Sequence, residues 1–454
     1  MLESFLFSRV RVWFVVCLLI AAAIGMIAFG AVVKVASTGD QRYGVVGDVA
    51  LVIASIPHTA KIGANAVLFG EANDLAAPKR FGTKAGFIAN YELGSRPDGE
   101  FLLVSRYDGD IRRSVVELLD TNDGAIIHRW QPEQQALDAL VSLGSGLIDL
   151  PKYHSAERAR VMHPLLDSDG SIVFQSMISP LVKIDACGKM VWTIPGWFHH
   201  SNEWSADGAI WTTDMRYPQT IDGVEPSYFE DSIVKISKDG KRLFEKTIAE
   251  IFLDNDLPNY VYGSGIYSND PFHINDVQEA LSTTEYWEKG DLFLSLRALD
   301  MIMNYRPSTN EIVWMKRGPW VKQHDVDFVD ETRIAIYNNN RFKRANGTEV
   351  VGGNSVMIYD FATDSVSAPL KDAFASHEVR TDSEGLFTMF PNGDVFAEES
   401  VAGRLIKIAS DGSTSWEYFN RGADGSLYRM NWSRVVPRGE GNRLAEVLSQ
   451  TNCR

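Results

Sequence analysis

The sequence predicts an all-β protein, a six-bladed β-propeller preceded by a single N-terminal transmembrane helix. Three observations carry this prediction: an uncharged apolar segment near the N-terminus, short β-like runs between D-G turns, and one recurring strand unit. The predicted organisation is a cytoplasmic stub and membrane anchor over 1–35, a connector or cap over 36–95, the propeller over 96–437, and a C-terminal tail over 438–454.

The segment from Val12 to Val33 contains no charged side chain. As an α-helix it is about 33 Å long, and a membrane hydrocarbon core is about 30 Å thick. A cleaved secretory signal is the alternative, but its apolar region is usually about 7–15 residues long, and no clear A-x-A site precedes Lys34. Because Arg9 and Arg11 come just before the helix, the positive-inside rule places the stub in the cytoplasm. We therefore expect a single-pass inner-membrane protein whose bulk is periplasmic.

The connector contains a helix-like stretch, AKIGANAVLFGEANDLA, which Pro78 would end. We expect this stretch to pack as a small cap, and the sequence indicates no function for it.

From about Asp98, runs of β-branched and aromatic residues alternate with D-G, N-D-G and K-D-G turns. The predicted outer strands end near six marks, which are Trp130, Trp192, Phe244, Trp314, Leu370 and Trp416. Their spacing of roughly 50–70 residues suits four-stranded blades with loops. The last run, SLYRMNWSRVVP, is expected to return to the first or last blade and close the ring without an open edge.

The composition restricts the possible partners. The chain has 44 Lys and Arg residues against 59 Asp and Glu, a net charge of −15, which disfavours nucleic acid because its binders present basic patches to phosphate. Three cysteines cannot form a disulfide-rich scaffold. In an oxidising compartment Cys187 and Cys453 could pair, but the sequence leaves this pairing and the oligomeric state open.

Five of the nine histidines occupy nearly the same position in five repeats, namely His163, His200, His273, His324 and His377. Four of them are followed, at the fourth position, by Trp204, Val277, Phe328 and Thr381 respectively, whereas His163 is one residue out of step. In a propeller, the loops that enter the innermost strands open onto the central channel at one face. The histidines are therefore expected to converge on one axis, and the alternative is a set of structural histidines inherited with the repeat.

Such a cluster suits either a transition metal, held by neutral imidazoles, or a histidine nucleophile with proton-transferring neighbours. Asn275 and Arg297 favour the second use, because an amide and a forked guanidinium bind tetrahedral oxyanions well. The alternative role for Arg297 is a surface salt bridge. Among the carboxylates, only Asp325 and Glu378 follow a histidine in phase, so we expect no metal and no other cofactor.

The segments GWFHHSNEWSADGAIW, NDPFHINDV, GDLFLSLR and GPWVKQHDVDF resemble the bacterial arylsulfotransferase family. The resemblance covers about residues 150–435. It implies a periplasmic six-bladed propeller that transfers a sulfuryl group from an aryl sulfate donor to a phenolic acceptor, without a nucleotide, through a sulfohistidine. The implied site consists of the nucleophile His324, the pair His273 and Asn275, the strand arginine Arg297, and the early channel histidine His200, with His199 as its alternative.

In the implied mechanism, Arg297 and Asn275 hold the sulfuryl oxygens, while His200 or His273 protonates the leaving phenol and later deprotonates the acceptor. His377 or Thr381 is expected where better-known family members place a hydroxyl residue of the last blade. The candidate aryl pocket consists of Trp197, Phe198, Trp204, Phe272 and Trp320, and the alternative for at least half of these is the blade core.

The sequence therefore predicts a membrane-anchored aryl sulfotransferase with ping-pong kinetics. Two other classes stay open: a non-catalytic propeller that binds a partner, and a metal-dependent hydrolase or lactonase on the same scaffold. The sequence does not identify the donor or the acceptor, nor does it decide between transfer and hydrolysis.

Overall fold

The computed structural model describes residues 11–36, 41–54 apart from 48 and 51, 75–140 apart from 78, 157–263 apart from 217, 218 and 226, and 267–453 apart from 346. The helix-like stretch predicted over residues 60–76 lies almost wholly outside these ranges. The chain divides into two units. One comprises Met1–Asn73 and Asp222–Tyr228, and the other comprises Asp74–Ile221 and Phe229–Arg454.

The described part of the first unit is dominated by one helix, α1 (Val12–Ala36). Its apolar side chains are exposed over most of its length, and it is long and apolar enough to cross a membrane. A signal sequence near the N-terminus would meet the same criterion of length and composition.

The second unit is all-β with short helices. In chain order its strands are β1 (Gly86–Ala89), β2 (Phe101–Asp108), β3 (Arg113–Asp120), β4 (Ile126–Trp130), β5 (Met162–Leu166), β6 (Ile172–Gln175), β7 (Ser179–Ile184), β8 (Met190–Trp204), β9 (Ile210–Arg216), β10 (Glu230–Ile236), β11 (Arg242–Thr247), β12 (Ile274–Glu279), β13 (Leu292–Leu296), β14 (Met301–Arg306), β15 (Glu311–Arg317), β16 (Val326–Phe328), β17 (Arg333–Asn338), β18 (Arg341–Arg344), β19 (Gly347–Val350), β20 (Ser355–Asp360), β21 (Ser365–Ser367), β22 (Phe387–Met389), β23 (Val395–Glu399), β24 (Arg404–Ile408), β25 (Thr414–Phe419) and β26 (Arg434–Val436). The helices are α2 (Gln134–Leu140), α3 (Ile248–Asp254), α4 (Asn259–Tyr262), α5 (Lys371–Ser376) and α6 (Arg438–Ser449).

The strands form antiparallel meanders. The sheet orders are β26-β2-β3-β4, β11-β10-β9-β8-β7-β6-β5, β12-β13-β14-β15, β16-β17-β20-β21 and β1-β25-β24-β23-β22, and β18 pairs with β19 as a separate ribbon. Successive sheets of this kind confirm the predicted all-β, propeller-like class. The predicted turns are present, and at Gly188 the turn needs glycine, because φ is +85° and a Cβ would lie 2.2 Å from the Gln131 carbonyl oxygen.

Both ends of the second unit pair with strands far away in sequence. The last strand, β26, comes from the SLYRMNWSRVVP run and pairs with β2, with Phe101 opposite Val436 and Leu103 opposite Arg434. Strand β1 comes from the segment predicted as connector and adds a fifth strand to the last sheet, with Gly86 opposite Phe419. These pairings cover the edges of β2 and β25, which would otherwise present unpaired backbone groups.

Large apolar side chains fill the space between neighbouring sheets, and the outer-strand tryptophans help to fix the packing. Trp130 is fully buried, and its indole Nε1 donates to the carbonyl oxygen of Gly170 in the next sheet, at 2.8 Å. In the last sheet, Trp416 Nε1 donates to a Glu100 carboxylate oxygen at 2.9 Å. The recurring aromatic mark therefore combines burial with a hydrogen bond to a neighbouring segment.

Cys187 and Cys453 form a disulfide, which the sequence left open. The bond joins the turn between β7 and β8 to the residues that follow α6. Helix α6 packs against the first core cluster through Leu444 and Leu448, which are 2% and 5% exposed. The C-terminal segment is thus held to the sheets by a covalent bond and by apolar contacts.

Candidate active site

The structure brings five histidines and one tryptophan together. The Trp432 ring centroid lies 5.2 Å from that of His163, 5.8 Å from that of His200 and 6.2 Å from that of His324. The His200 ring lies 5.3 Å from His273 and 4.9 Å from His199. The expected convergence of the repeated histidines is therefore present for His163, His200, His273 and His324. Trp432, which is 1% exposed, occupies the middle of the cluster.

Local backbone irregularities aim these side chains. His163, His200 and His273 have φ angles of 43°, 54° and 50°, in the left-handed region that non-glycine residues rarely adopt. The strand register shifts between His199 and Asn202 and between Ile274 and Asp276. Such β-bulges re-aim side chains and are common next to active sites.

Buried carboxylates connect each sheet to the inner strand of the next. Each of them accepts a backbone N–H at the start of the next inner strand, and the pairs are Asp231 with Ile274 at 3.0 Å, Asp276 with Val326 at 3.2 Å, Asp325 with Phe387 at 2.9 Å, and Glu398 with Trp432 at 2.9 Å. Burial, and next the charge of Glu203, raises the pKa of Asp276 to about 7. Burial likewise raises the pKa of Glu398 to about 7. These groups hold the histidine-bearing segments in place at some cost in desolvation.

Both ring nitrogens of His324 are hydrogen-bonded. Nε2 lies 2.9 Å from the backbone N–H of Glu384, which can only donate, so Nε2 carries the lone pair and Nδ1 the proton. Nδ1–H donates to Asn339 Oδ1 at 2.6 Å. Burial, and next the charge of Arg297, holds the pKa of His324 well below its ordinary value. His324 is therefore a neutral imidazole at neutral pH, with a fixed tautomer.

A buried ion pair holds the segment that contacts His324. Arg160 Nη1 and Nη2 donate to the two carboxylate oxygens of Glu384 at 2.7 and 2.8 Å, and Arg160 Nε donates to Asn431 Oδ1 at 2.8 Å. Arg160 is 0% exposed. Asn339 Nδ2 donates to the Glu384 carbonyl oxygen at 2.8 Å, so the hydrogen bonds of Asn339 tie this segment to the imidazole from a second side.

His199 and His200 share one hydrogen bond, with their Nδ1 atoms 2.7 Å apart. The nearest carboxylate oxygen to His199 Nε2 belongs to Asp231, at 3.5 Å. This carboxylate favours the proton on His199 Nε2, which leaves His199 Nδ1 to accept the Nδ1–H of His200. In this arrangement no hydrogen-bond donor among the described residues occupies the lone pair of His200 Nε2. Burial, and next the neighbouring histidine His199, holds the pKa of His200 well below its ordinary value.

Asn275 and Arg297 lie where the β12–β13 pair begins, because Arg297 N–H donates to the carbonyl oxygen of His273 at 3.1 Å. Asn275 Nδ2 donates to the Gln323 carbonyl oxygen at 3.1 Å. Within the described part of the chain, Asn275 Oδ1 and Arg297 Nε are buried without a hydrogen-bond partner. Unpaired buried polar atoms are rare in native folds and point to a ligand or an ordered water.

His273 differs from the other clustered histidines in its exposure and its partner. Its side chain is 30% exposed, and Nδ1 lies 2.7 Å from Asp270 Oδ2. Asp270, like Trp432, Asn339 and Glu384, was not predicted from the sequence. The residues NDPFH place Asp270 three positions before His273, which is a weak signal; the other three contacts join segments more than 14 residues apart.

His377 and Trp204 lie away from the cluster in the structure. His377 follows α5, and its Nε2 lies 2.9 Å from the Gly412 carbonyl oxygen. Trp204 packs in the core cluster around Phe198 and donates to the Leu166 carbonyl oxygen at 3.3 Å. Thr381 is closer to the site, because its carbonyl oxygen accepts a hydrogen bond from Asn339 Nδ2 at 3.4 Å.

The remaining aromatic candidates for an aryl pocket are buried, and Phe198 and Trp320 belong to core clusters. Phe198, Phe272 and Trp320 are 0% exposed, and Trp197 is 8% exposed. A cavity of about 660 Å³ does open nearby, lined by residues that include Arg80, Val379, Thr381 and Val401. None of the clustered histidines lines this cavity, so it is distinct from the histidine site.

The described residues contain no group of three or more His, Cys, Asp or Glu side chains arranged to hold a metal ion. Within the same part of the chain, the site combines a neutral His324 imidazole in a fixed tautomer, an arginine whose buried Nε has no hydrogen-bond partner, and an amide. Fold and site together define a propeller-like β-protein suited to binding an oxyanion beside a histidine nucleophile or base.

The family model of Arylsulfotransferase (ASST) matches residues 163–421, more than half of the chain. The protein therefore belongs to the arylsulfotransferase family. Membership supports an aryl sulfotransferase activity in general, with an aryl sulfate as donor and a phenol as acceptor.

No curated protein matches the chain. Similar solved structures include a protein of unknown function from Bacteroides caccae, with 11% identity, a TM-score of 0.46, and coverage of 74% of this chain and 99% of that chain. Virginiamycin B lyase from Staphylococcus aureus has 12% identity, a TM-score of 0.38, and coverage of 77% and 99%. Identities and TM-scores this low carry no functional argument.

Proposed function

We propose that the protein transfers a sulfuryl group from a phenolic sulfate ester to a phenolic acceptor, without a nucleotide, through a sulfohistidine at His324. The observation that carries this proposal is a neutral, tautomerically fixed imidazole in the electric field of Arg297, whose Nε has no hydrogen-bond partner among the described residues. A neutral imidazole is the nucleophilic form, and a guanidinium stabilises the oxygens of a sulfuryl group.

In the first half-reaction, the Nε2 lone pair of His324 attacks sulfur in line, and the bond between sulfur and the phenolic oxygen breaks. Asn339 Oδ1 accepts the Nδ1–H while positive charge develops on the ring. The leaving phenolate takes a proton from a neighbouring histidine in its imidazolium form, which becomes a neutral ring. In the second half-reaction, the acceptor phenol returns a proton to that histidine, its oxygen attacks sulfur, and the N–S bond breaks. This sequence predicts ping-pong kinetics.

Arg297 and the second N–H of Asn275 Nδ2 would bind the non-bridging oxygens. By analogy with phosphoryl transfer, most of the catalysis comes from positioning and electrostatic stabilisation, and one such donor is worth roughly 3 kcal/mol. In the structure, the Glu384 N–H donates a hydrogen bond to His324 Nε2, whose lone pair is the one that would attack sulfur. We infer that the segment carrying Glu384 gives up this hydrogen bond when the donor binds.

We also propose six blades. The first residues of β8 pair with β7 and its last residues pair with β9, so the seven-stranded sheet corresponds to two blades joined by one long strand. With the four other large sheets this makes six. The proposed domain organisation keeps a cytoplasmic stub and anchor over 1–35, a connector over 36–95, the propeller over 96–437 and a tail over 438–454.

We further propose that α1 anchors the protein in the inner membrane, with its bulk in the periplasm. The disulfide between Cys187 and Cys453 supports an oxidising compartment, since disulfides rarely persist in a reducing cytosol.

The test of the function uses full-length protein in detergent, incubated with phenyl sulfate and examined for sulfohistidine by mass spectrometry under alkaline conditions. His324→Asn is expected to abolish both the adduct and transfer while leaving the thermal transition in place. His128→Asn is the matched control, because His128 lies on β4, the outermost strand of its sheet, and bonds to the Ala186 carbonyl oxygen instead of to a residue of the cluster. Unchanged turnover in His324→Asn, or an adduct on another residue, would refute the assignment of His324 as the nucleophile.

A further inference from the structure

The proposed function leaves open which histidine moves the proton, and the segment around Asp270 and His273 bears on this question. Asp270 Oδ2 accepts from His273 Nδ1 at 2.7 Å. The segment is fixed at both ends, since Phe229 N–H donates to the Asn269 carbonyl oxygen at 2.7 Å and Ala298 N–H donates to the Phe272 carbonyl oxygen at 2.9 Å. The carboxylate and the imidazole are therefore held in one geometry by the main chain.

This hydrogen bond determines which nitrogen of His273 is available. A carboxylate accepts only, so Nδ1 carries a proton in both the neutral ring and the imidazolium, and Nε2, on the side away from Asp270, is the nitrogen that gains or loses the second proton. No hydrogen bond to Nε2 is present within the residues that the structure describes. Although burial acts to raise it, the hydrogen bond from His273 holds the pKa of Asp270 below its ordinary value, so Asp270 is ionised at neutral pH.

The other clustered histidines are less suited to exchange a proton with a substrate. His200 is 6% exposed and His324 is 2% exposed, whereas the His273 side chain is 30% exposed. The carboxylate of Asp270 can accept Nδ1–H from both the neutral ring and the imidazolium, so His273 keeps one orientation throughout a proton cycle. Neither His200 nor His324 has a carboxylate on its Nδ1.

We propose that Asp270 is a positioning residue that holds His273 as the proton-transferring group, and that this pair allows the enzyme to use phenols that are not ionised at neutral pH. The proposal rests on the proposed sulfuryl transfer. The His273 imidazolium gives its Nε2 proton to the departing phenolate, which leaves as phenol. The neutral ring then takes the proton of the acceptor phenol as the acceptor oxygen attacks sulfur, and the imidazolium is restored.

Several other charged or titratable groups face His273. Asp270 and the rings of His200 and His324 interact electrostatically with His273, and Arg297 and His199 act on Asp270. Asp300 also acts on Arg297 but bonds to Lys322 N–H at 2.8 Å rather than to a histidine. Asp300→Asn therefore removes a comparable charge from the surroundings of Arg297 without touching the proposed pair, which makes it the matched control.

The experiment compares two donors with wild-type, Asp270→Asn, Asp270→Glu and Asp300→Asn proteins. Phenyl sulfate has a basic leaving group that needs a proton, whereas 4-nitrophenyl sulfate releases an acidic phenol that leaves as its anion. With Asp270→Asn, formation of sulfohistidine from phenyl sulfate should slow by about 100-fold, the scale of general acid catalysis, and formation from 4-nitrophenyl sulfate by less than about 3-fold. Asp270→Glu should restore part of the loss, and Asp300→Asn should affect both donors equally.

The acceptor side gives an independent readout. In single-turnover transfer from preformed sulfohistidine, Asp270→Asn should favour acidic nitrophenols over phenol, and the pH dependence with phenol should move towards the pKa of the acceptor itself, about 10. An equal loss with both donors and with all acceptors would overturn the positioning role. A wild-type protein that forms no sulfohistidine with either donor would instead overturn the proposed function.

Discussion

The buried pair of Arg160 and Glu384 gives a quantitative test of how the site is held together. Replacing Glu384 by Gln keeps the side-chain shape but removes the charge that faces Arg160 across two hydrogen bonds of 2.7 and 2.8 Å. Arg160 would then keep its hydrogen bonds to Asn431 Oδ1 and the Met430 carbonyl oxygen but lose the Glu384 charge. Breaking one side of a buried pair costs about 3–5 kcal/mol, so Glu384→Gln should lower the free energy of unfolding by that amount.

A double variant tests directly whether the two buried charges depend on each other. Arg160→Met removes the buried cation and should cost a similar amount on its own. When both changes are combined, neither member of this pair is left as a buried charge without the other, so the loss should be smaller than the sum of the two single losses by at least about 2 kcal/mol. Urea unfolding of the full-length protein in detergent, followed by tryptophan fluorescence, measures all four corners of the cycle.

The Arg160–Glu384 pair also makes the free energy of unfolding depend on pH in a defined direction. Although burial acts to raise it, the charge of Arg160 holds the pKa of Glu384 below its ordinary value. The pair therefore stabilises the protein above the pKa of Glu in the unfolded chain, and this contribution is lost as the pH falls through the lower pKa of the folded state. Additive losses in the cycle, or a loss below about 1 kcal/mol for each single variant, would refute the claim that the buried charges depend on each other.

Two further predictions concern stability. Burial raises the pKa of Asp276 to about 7, so the folded protein binds this proton more tightly than the unfolded chain, and stability should fall as the pH rises from about 4 to about 7. Asp276→Asn should remove part of this fall; a pH profile identical to that of the wild type would contradict this. The disulfide joins Cys187 and Cys453 across a sequence separation of 266 residues, so reduction should cost up to about 5 kcal/mol by the chain-entropy argument. A thermal transition insensitive to dithiothreitol would speak against this, and the Cys187→Ser, Cys453→Ser double variant, which has no bond to reduce, is the control.

The sequence by itself determined the features that depend on local pattern. An uncharged apolar run of sufficient length predicts α1, and β-branched runs between D-G turns predict the strands. The repeat phase placed His163, His200, His273 and His324 on one axis, because equivalent positions of a repeat point in equivalent directions.

His377 shows that an equivalent position in the sequence repeat does not by itself place a histidine in the cluster. Its N–H donates to the Ala373 carbonyl oxygen at 3.0 Å, so the residue that looks equivalent in the sequence ends the short helix α5 instead of entering an inner strand. Helix capping, a local preference, took precedence over the repeat at this position. The aromatic residues proposed for the aryl pocket are buried for a different reason: packing in the protein interior is the ordinary use of large apolar side chains.

Tertiary structure alone decided the chemistry of the individual nitrogens. The N–H of Glu384 reaches His324 across 60 residues of sequence, and Trp432 reaches the cluster from the last run of the chain. Hydrogen bonds of this kind fix tautomers and orient rings, yet they depend on atoms that only the closed ring of sheets brings within about 3 Å of each other. Local periodicity carries no information about such distances, so the sequence could name the histidines but not assign each one its proton, its partner and its exposure.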